Sequence, residues 1–239
     1  MSSATLIGEE EGGGRSGRRR RADLGSVRFS ERDRELLGLI GEQFAVTVEQ
    51  LAVLSGRSYA TARWLRDRWR KAGWVESRQM VPHGPAFVWL TREGTRLAQS
   101  PYRTWQPNLS LAGHIEAVSE VRLLLERRLG LGEWECERSL AKAAWSRSKT
   151  HPHLPDGVLE TGRGRVAIEV ELQRKSRARL NAILGELAQR YPQIWYFAAP
   201  GVLPLLRTLA VESAWRNITV HPYPPVGEEL SRRPQEVGR

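Results

Sequence analysis

Two segments of alternating side chains flank the turn Thr161-Gly162-Arg163-Gly164, and this feature constrains the fold more than any other in the sequence. A glycine-containing turn between two segments of period two predicts a β-hairpin. The apolar face of the hairpin carries Val166, Ile168, Val170 and Leu172, joined by Leu159 of the first strand, and the opposite face carries Ala167, Glu169 and Glu171. The hairpin is therefore predicted to separate an apolar layer from an acidic one.

The turn also predicts the register of the two strands. A loop centred between Gly162 and Arg163 pairs Asp156 with Glu169, on the face that also carries Glu171. Directly opposed side chains have Cβ atoms about 4.5–5.5 Å apart, and like charges at that distance are destabilising. A divalent cation such as Mg²⁺, held by oxygen ligands, would compensate three gathered carboxylates. The alternative is a solvated hairpin face whose acids pair with neighbouring arginines.

Residues 30–97 contain a second informative pattern, a succession of helix caps and turns. Ser30, Thr47 and Ser58 each precede a stretch with helical spacing of apolar side chains. The three predicted helices run from Ser30 past Leu37 and Ile40 to Phe44, from Val48 to Leu54, and from Ser58 to about Ala72, closed by Gly73. A predicted hairpin follows, with strands over 74–80 and 87–90, and then a helix from Thr91 to Leu97. This order of elements predicts a winged helix-turn-helix.

The third of these helices has two predicted faces. Its buried stripe is formed by Ala62, Leu65 and Trp69, and a separate stripe is formed by Tyr59, Arg63, Arg66 and Arg70. A recognition helix needs such a second face to reach bases or phosphates. An ordinary exposed basic face is the alternative. The predicted DNA-binding residues are Tyr59, Arg63, Arg66 and Arg70, together with Arg57 and Arg78.

The charge of the chain agrees with a polyanionic partner. Lys and Arg number 37 against 27 Asp and Glu, which gives a formal net charge of +10. All but four of the 37 basic residues are arginines, whose planar guanidinium suits phosphate oxygens and guanine edges. A basic surface that only reflects arginine-rich composition is the alternative.

Other classes of protein are excluded or disfavoured by the composition. Cys136 is the only cysteine, which excludes disulfides within the chain and cysteine-based zinc sites. No stretch approaches the roughly 20 apolar residues that span a membrane, and the start of the chain lacks the apolar core of a signal peptide. We therefore expect a cytoplasmic protein with no membrane partner.

The composition divides the chain into five segments. Residues 1–27, with Arg15 and Arg18 to Arg21, are predicted to be a disordered basic arm. The predicted winged helix covers 28–99, a linker covers 100–109, a second domain with a mixed sheet covers 110–222, and a disordered tail covers 223–239. In the second domain we expect a helix over 110–128, in which His114 is a packed core residue, a strand or strand-helix edge over 134–140, and a helix over 174–190.

The acidic hairpin resembles a known nuclease core. Pro155-Asp156, followed by Glu169-Val170-Glu171 on a strand before a basic helix, is similar to the PD-(D/E)XK motif. The wider sequence resembles the replication-relaxation family, whose members join such a domain to a winged helix. The matching features are the helix around His114-Ile115, residues 134–140, His153 to Gly157, Ala167 to Leu172 followed by Lys175-Ser176, and the strand Ile194 to Phe197. They cover most of residues 30–220.

The resemblance implies a site and a function. It makes Asp156, Glu169, Glu171 and Lys175 the candidate catalytic residues, with Asp156, Glu169 and Glu171 binding Mg²⁺. Glu171 stands where the nuclease motif has lysine, a replacement known in some restriction enzymes of the superfamily. Lys175 would place its ammonium group at the site in place of the missing lysine. Alternatively, it would form a patch that binds the DNA backbone, together with Arg174, Arg177 and Arg179.

The implied fold class is α/β (α+β), a winged helix followed by a PD-(D/E)XK-like mixed-sheet domain. The implied function is binding of double-stranded DNA in plasmid or mobile-element replication, relaxation or transfer, with a relaxase or replication protein as partner. Metal-dependent nicking of DNA is the enzymatic hypothesis. A catalytically inactive regulator or relaxase accessory protein is the alternative.

Overall fold

The computed structural model describes residues 28–80, 82–145, 153–212 and 216–225 of the 239-residue chain. The predicted basic arm, 1–27, lies outside the described residues, as do residues 226–239 of the predicted tail. The described part has a mixed α/β structure with two sheets, which confirms the coarse fold class. None of its helices is long and apolar enough to cross a membrane.

The first half of the chain begins with the predicted helices. They are α1 (Glu31–Glu42), α2 (Val48–Ser55) and α3 (Tyr59–Lys71), with the short strand β1 (Val46–Thr47) before α2. The predicted caps are confirmed: the side chains of Ser30, Thr47 and Ser58 each accept a hydrogen bond from a backbone N–H of the first turn. Gly56 ends α2 with a φ of 59°, a left-handed conformation that glycine adopts without strain.

A small antiparallel sheet and a short helix complete this half. The predicted hairpin consists of β2 (Val75–Gln79) and β3 (Ala86–Leu90), and β3 pairs with β1 on its other side. Thr91 caps α4 (Arg92–Leu97), as predicted. The helices and the sheet enclose one apolar core, whose central side chains include Leu37, Ile40, Leu51, Trp69 and Val88. We call residues 28–99 the N-terminal unit.

The second half is built on a five-stranded mixed sheet. Its strands are β4 (Glu133–Cys136), β5 (Gly157–Thr161), β6 (Gly164–Glu171), β7 (Gln193–Ala198) and β8 (Ile218–Pro222), in the order β4-β5-β6-β7-β8. The first three strands are antiparallel, and β6, β7 and β8 are parallel. Helices precede and connect the strands: α5 (Leu109–Arg122), α6 (Glu137–Trp145), α7 (Arg177–Ala188) and α8 (Leu203–Glu212). We call residues 110–222 the C-terminal unit.

Both faces of this sheet are covered by apolar layers. On one face, α5 packs against the side chains that the sequence predicts to be apolar, among them Leu159, Val166 and Ile168. On the other face, α7 packs through Leu180, Ile183, Leu184 and Leu187, which lie beside Leu206 and Leu209 of α8. The face of β6 that carries the acidic residues is therefore part of the protein interior.

Two helix boundaries differ from the sequence-based expectation. The helix expected over 110–128 is α-helical only to Arg122 and continues as a π-helical turn, Leu123–Arg128. The helix expected from Arg174 begins at Arg177, because Ser176 is its N-cap and accepts a hydrogen bond from the N–H of Arg179. Lys175 thus lies in the connection before α7.

The two units pack directly against each other. Ala45, Phe87 and Trp89 of the N-terminal unit form one buried cluster with Ala112 and Ile115 of α5. Arg138 of α6 adds polar contacts, since it donates hydrogen bonds to the carbonyls of Gly41 and Arg103. Its guanidinium also lies 4.7 Å from the ring centroid of Phe44 and 4.8 Å from that of Tyr102. The end of α1 is therefore held against α6 of the C-terminal unit.

Candidate functional site

The register predicted from the turn is confirmed. Gly157 of β5 pairs with Ile168 of β6, and Thr161 pairs with Gly164, so Asp156 directly precedes the paired region on the side of Glu169. The Asp156 Oδ2 atom accepts a hydrogen bond of 2.7 Å from the backbone N–H of Val170. Gly157 is required here, because a Cβ atom at this position would lie 2.0 Å from the Trp134 ring. The start of β5 therefore places the Asp156 carboxylate against β6.

The acidic face of the hairpin is buried. Glu169 and Glu171 are each only 4% exposed, because α7 and the neighbouring apolar layer cover this face. The alternative of a solvated acidic face paired with arginines is thus wrong for these two residues. Buried carboxylates need hydrogen-bond partners or a counter-charge.

Two histidines supply partners for the carboxylates. His114 of α5 has its Nε2 atom 2.9 Å from Asp156 Oδ1, and His153, three residues before Asp156, has its Nε2 atom 2.9 Å from Glu169 Oε1. Both rings are partly exposed. The expectation that His114 is a packed core residue is therefore wrong: the part of α5 in the main apolar layer begins at Ala117, and His114 lies outside it.

Lys175 supplies the third partner. Its ammonium lies 2.5 Å from Glu171 Oε2, so the connection before α7 does return a cation to the acidic face, as the sequence suggests. Each carboxylate thus has its own basic neighbour. We call these six residues the acid–base cluster: Asp156 with His114, Glu169 with His153, and Glu171 with Lys175.

Burial and charge shift the protonation of the cluster. Burial, and after it the nearby Asp156 carboxylate, raise the pKa of Glu169 to about 7, against the opposing effects of His153 and Lys175. Burial by itself would lower the pKa of His153, but its contact with Glu169 outweighs burial and raises that pKa. Contact with Asp156 raises the pKa of His114 in the same way, against burial. The cluster therefore retains protons near neutral pH that isolated side chains would release.

A small cavity adjoins the cluster at the junction of the two units. Its volume is about 20 Å³, and Asp156, His114 and Glu137 line it together with Gln43 and Phe44 at the end of α1. This volume is sufficient for one water molecule. The N-terminal unit therefore forms part of the surroundings of the acid–base cluster.

The donor chemistry of the cluster fits Mg²⁺ through two carboxylates. Among the described residues, no group of three or more His, Cys, Asp and Glu side chains is arranged to hold a metal ion. Mg²⁺, however, is commonly bound through one or two carboxylates, with waters and substrate phosphates as the remaining ligands. Asp156 and Glu169 are two such carboxylates, each in contact with a histidine, and Glu171 is in contact with the Lys175 ammonium.

The exposed face of α3 is the second feature that bears on function. Tyr59 is 49% exposed, and Arg63 and Arg70 are also exposed, as are Arg57 before the helix and Arg78 on β2. Arg66 differs from the prediction, because its side chain is only 16% exposed and binds the Asp67 carboxylate at 2.9 Å. Most of the predicted basic stripe is thus accessible.

An exposed tryptophan on another side of α3 was not predicted. Trp64 is 60% exposed, and the guanidinium of Arg68 lies 5.3 Å from its ring centroid. Arg68 also contacts the buried Asp33 carboxylate, which accepts a hydrogen bond of 2.8 Å from Trp69 Nε1. These contacts fix α3 on α1 and hold its outer face toward solvent.

These two features, the cationic face of α3 and the acid–base cluster, are the described parts of the molecule with the clearest functional chemistry. No protein-family profile, curated protein or solved structure matches the chain. The face of α3 offers arginine cations and the Tyr59 ring to a polyanion. The cluster offers carboxylate oxygens and protonated groups at the junction of the two units.

Proposed function

We propose that the protein binds double-stranded DNA through its N-terminal unit, with the architecture of a winged helix. The observation that carries this proposal is the outer face of α3, where Tyr59, Arg63 and Arg70 are exposed together. In winged helices the N-terminal part of such a helix enters the major groove. The β2–β3 hairpin would be the wing, with Arg78 directed to the phosphate backbone.

The charge and anchoring of α3 support this proposal. Arginine binds phosphates and guanine edges through a planar fork of donors. Because Asp33 fixes Arg68 and Trp69 beneath the outer face, α3 is held on its own unit before it meets DNA. A surface that is ordered in advance loses less conformational entropy on binding.

The test compares DNA affinity at several salt concentrations. Replacement of Arg57, Arg63 and Arg70 by alanine should weaken binding to duplex DNA and reduce the salt slope of log K by about 3, if each arginine contacts a phosphate. The matched control replaces Arg127, Arg163 and Arg216, three exposed arginines elsewhere, and removes the same charge. Equal losses in the two folded variants would contradict a specific role of α3.

We further propose a PD-(D/E)XK-like architecture for the C-terminal unit and, as a second candidate function, metal-dependent nicking of DNA. The observation that favours nicking is the contact of Asp156 with the strand that carries Glu169. A bound Mg²⁺ would act as a Lewis acid and lower the pKa of a water molecule. In the protein itself, His114 and His153 orient the two carboxylates, and Lys175 balances the charge of Glu171.

Nicking is tested on supercoiled plasmid with Mg²⁺ or Mn²⁺ and with neither cation. The wild type should produce open circles only with a cation, and Asp156→Asn and Glu169→Gln should abolish that product. Glu160→Gln is the matched control, because Glu160 is an exposed acid of the same hairpin. If no cation supports nicking, the protein is a catalytically inactive DNA-binding protein, such as a regulator or a relaxase accessory protein.

The biological setting that we propose follows the family resemblance. A DNA-binding unit fused to a nuclease-like unit suits plasmid or mobile-element replication, relaxation or transfer, with a relaxase or replication protein as partner. Pull-down of the purified protein with such a relaxase, with and without plasmid DNA, tests the partnership. If the relaxase is retained only when plasmid DNA is present, the result would argue against direct contact between the two proteins.

A further inference from the structure

Tyr196 is a buried residue whose polar atom has no partner in the described part of the chain. Its side chain is 0% exposed, and no described group forms a hydrogen bond with its hydroxyl. A buried hydroxyl without a partner is unfavourable, because it has lost its hydrogen bonds with water. Phenylalanine would fill the same apolar space without that cost, as Phe197 does on the other face of β7.

The position of Tyr196 connects it with the acid–base cluster. Tyr196 lies in the middle of β7, opposite Glu169 of the parallel strand β6. Partners in a parallel pair direct their side chains to the same face, which is the face of Ala167 and Ala198. The orphan hydroxyl therefore belongs to the layer that holds the buried carboxylates.

The state of the hydroxyl determines what it can bind. Burial raises the pKa of Tyr196 well above its ordinary value, and the charges of Glu169, Asp156 and Glu171 act in the same direction. The phenol is neutral at pH 7, as tyrosine ordinarily is, and can donate one hydrogen bond. Its partner must then be an atom that accepts this bond, as the oxygen of a water molecule does.

We propose that Tyr196 is a further residue of the candidate site and that its hydroxyl donates a hydrogen bond to a water molecule bound beside Glu169. This water is either free or a ligand of a divalent cation held by Asp156 and Glu169. The second source rests on the proposed metal-dependent function, whereas the first does not. In both cases Tyr196 extends the site by one strand, from β6 to β7.

The test uses Tyr196→Phe in the full chain, which removes only the hydroxyl oxygen and its proton. Tyr223→Phe is the matched control, because the Tyr223 hydroxyl binds Glu120 at 2.8 Å and takes no part in the acid–base cluster. One arm titrates Mn²⁺ into each protein by calorimetry. The other arm measures the melting temperature in buffer without divalent cations.

A cation-bound water predicts that Tyr196→Phe weakens Mn²⁺ binding by about tenfold, as losses of outer-shell partners do, while Tyr223→Phe leaves it unchanged. If the water is not bound to a cation, Tyr196→Phe should lower the melting temperature in buffer without divalent cations, because the water loses a hydrogen-bond donor. If the wild type binds no Mn²⁺, the metal-dependent function fails, and the melting temperature alone decides the role of Tyr196. A raised or unchanged melting temperature with no loss of Mn²⁺ affinity overturns the proposal.

Discussion

His153 lies with its Nε2 atom 2.9 Å from the Oε1 atom of Glu169, a carboxylate that is almost wholly inside the protein. The contact joins the segment before β5 to the middle of β6. It also links the titration of the two groups, since Glu169 raises the pKa of His153 while His153 lowers that of Glu169. The contact between them therefore favours a protonated His153 beside an ionised Glu169.

The stability of the protein should fall as the pH rises from about 4.5 to 7. The pKa of Glu169 is raised from 4.5 to about 7, so the folded state binds this proton more tightly than the unfolded state does. The free energy of unfolding is then lost as Glu169 ionises, by an amount on the order of 3 kcal/mol. His153 acts with the same sign, because its stabilisation is present at low pH and is lost as the pH rises through its raised pKa.

Denaturant unfolding at pH 5 and pH 8 measures this dependence. His221 acts in the opposite direction, since burial lowers its pKa to about 4 and its contribution is lost as the pH falls from 6.5. The informative quantity is therefore the difference between the wild type and Glu169→Gln, in which the His221 contribution cancels. Compared with the wild type at the same pH, Glu169→Gln should be more stable at pH 8 than at pH 5. The exposed control Glu160→Gln should show no such change relative to the wild type. A difference that is independent of pH would contradict the raised pKa.

Millimolar Mg²⁺ should raise the melting temperature of the wild type. A ligand that binds only the folded state stabilises it by RT ln(1 + [L]/Kd), which is about 1.4 kcal/mol at ten times Kd. Asp156→Asn and Glu169→Gln should reduce this shift, because each removes a proposed ligand. Calcium-free and magnesium-free buffers with matched ionic strength provide the reference. Identical shifts in all three proteins would show that Mg²⁺ acts elsewhere on the surface.

Replacement of Asp33 should unfold the N-terminal unit at a lower temperature. Asp33 is buried and accepts hydrogen bonds from Trp69 Nε1 and from the N–H of Ser30, and it also contacts Arg68. Removing one partner of a buried ion pair costs about 3–5 kcal/mol. Asp33→Ala should reach that range in calorimetry, while Glu31→Ala, at an exposed acid of the same helical turn, should cost far less. A small loss in Asp33→Ala would contradict the anchoring of α3.

Arg138→Ala should loosen the junction of the two units. The guanidinium binds the carbonyls of Gly41 and Arg103 and stacks over Phe44, contacts that alanine cannot make. Hydrogen bonds to a charged group contribute about 1.5–3 kcal/mol each. We expect one thermal transition for the wild type and two resolved transitions for Arg138→Ala. Arg138→Lys should restore little of the lost stability, because lysine lacks the planar fork of donors. A single transition of Arg138→Ala at the wild-type temperature would contradict the role of Arg138 at the junction.

The elements that could be predicted are those specified by local chemistry. The caps at Ser30, Thr47, Ser58 and Thr91 were all confirmed, because a cap depends on residues within one helical turn. The register of β5 and β6 also followed from the short turn between them. A helix start was misplaced where Ser176 was not recognised as the cap.

The features that the sequence did not predict depend on distant contacts. Alternation divided the faces of β6 correctly but could not reveal that α7 and α8 cover the acidic one. The pairing of His114 with Asp156 spans 42 positions, and helical spacing alone suggested a core residue. The contact of His153 with Glu169 depends on how β5 and β6 pair, and the place of Tyr196 opposite Glu169 depends on the pairing of β6 with β7. Arg66 was predicted to be exposed, but its neighbour Asp67 holds it against the helix.

The buried cluster shared by the two units fixes a distance within the molecule. Because Phe87 and Trp89 pack with Ile115 in one layer, the separation between α3 and the acid–base cluster is set by side-chain volumes instead of by the length of a tether. A DNA duplex repeats every 10–10.5 base pairs, so such a separation corresponds to a definite phase along the helix. If the proposed function holds, this separation would set the distance along the DNA between the base pairs bound by α3 and the phosphates that reach the acid–base cluster.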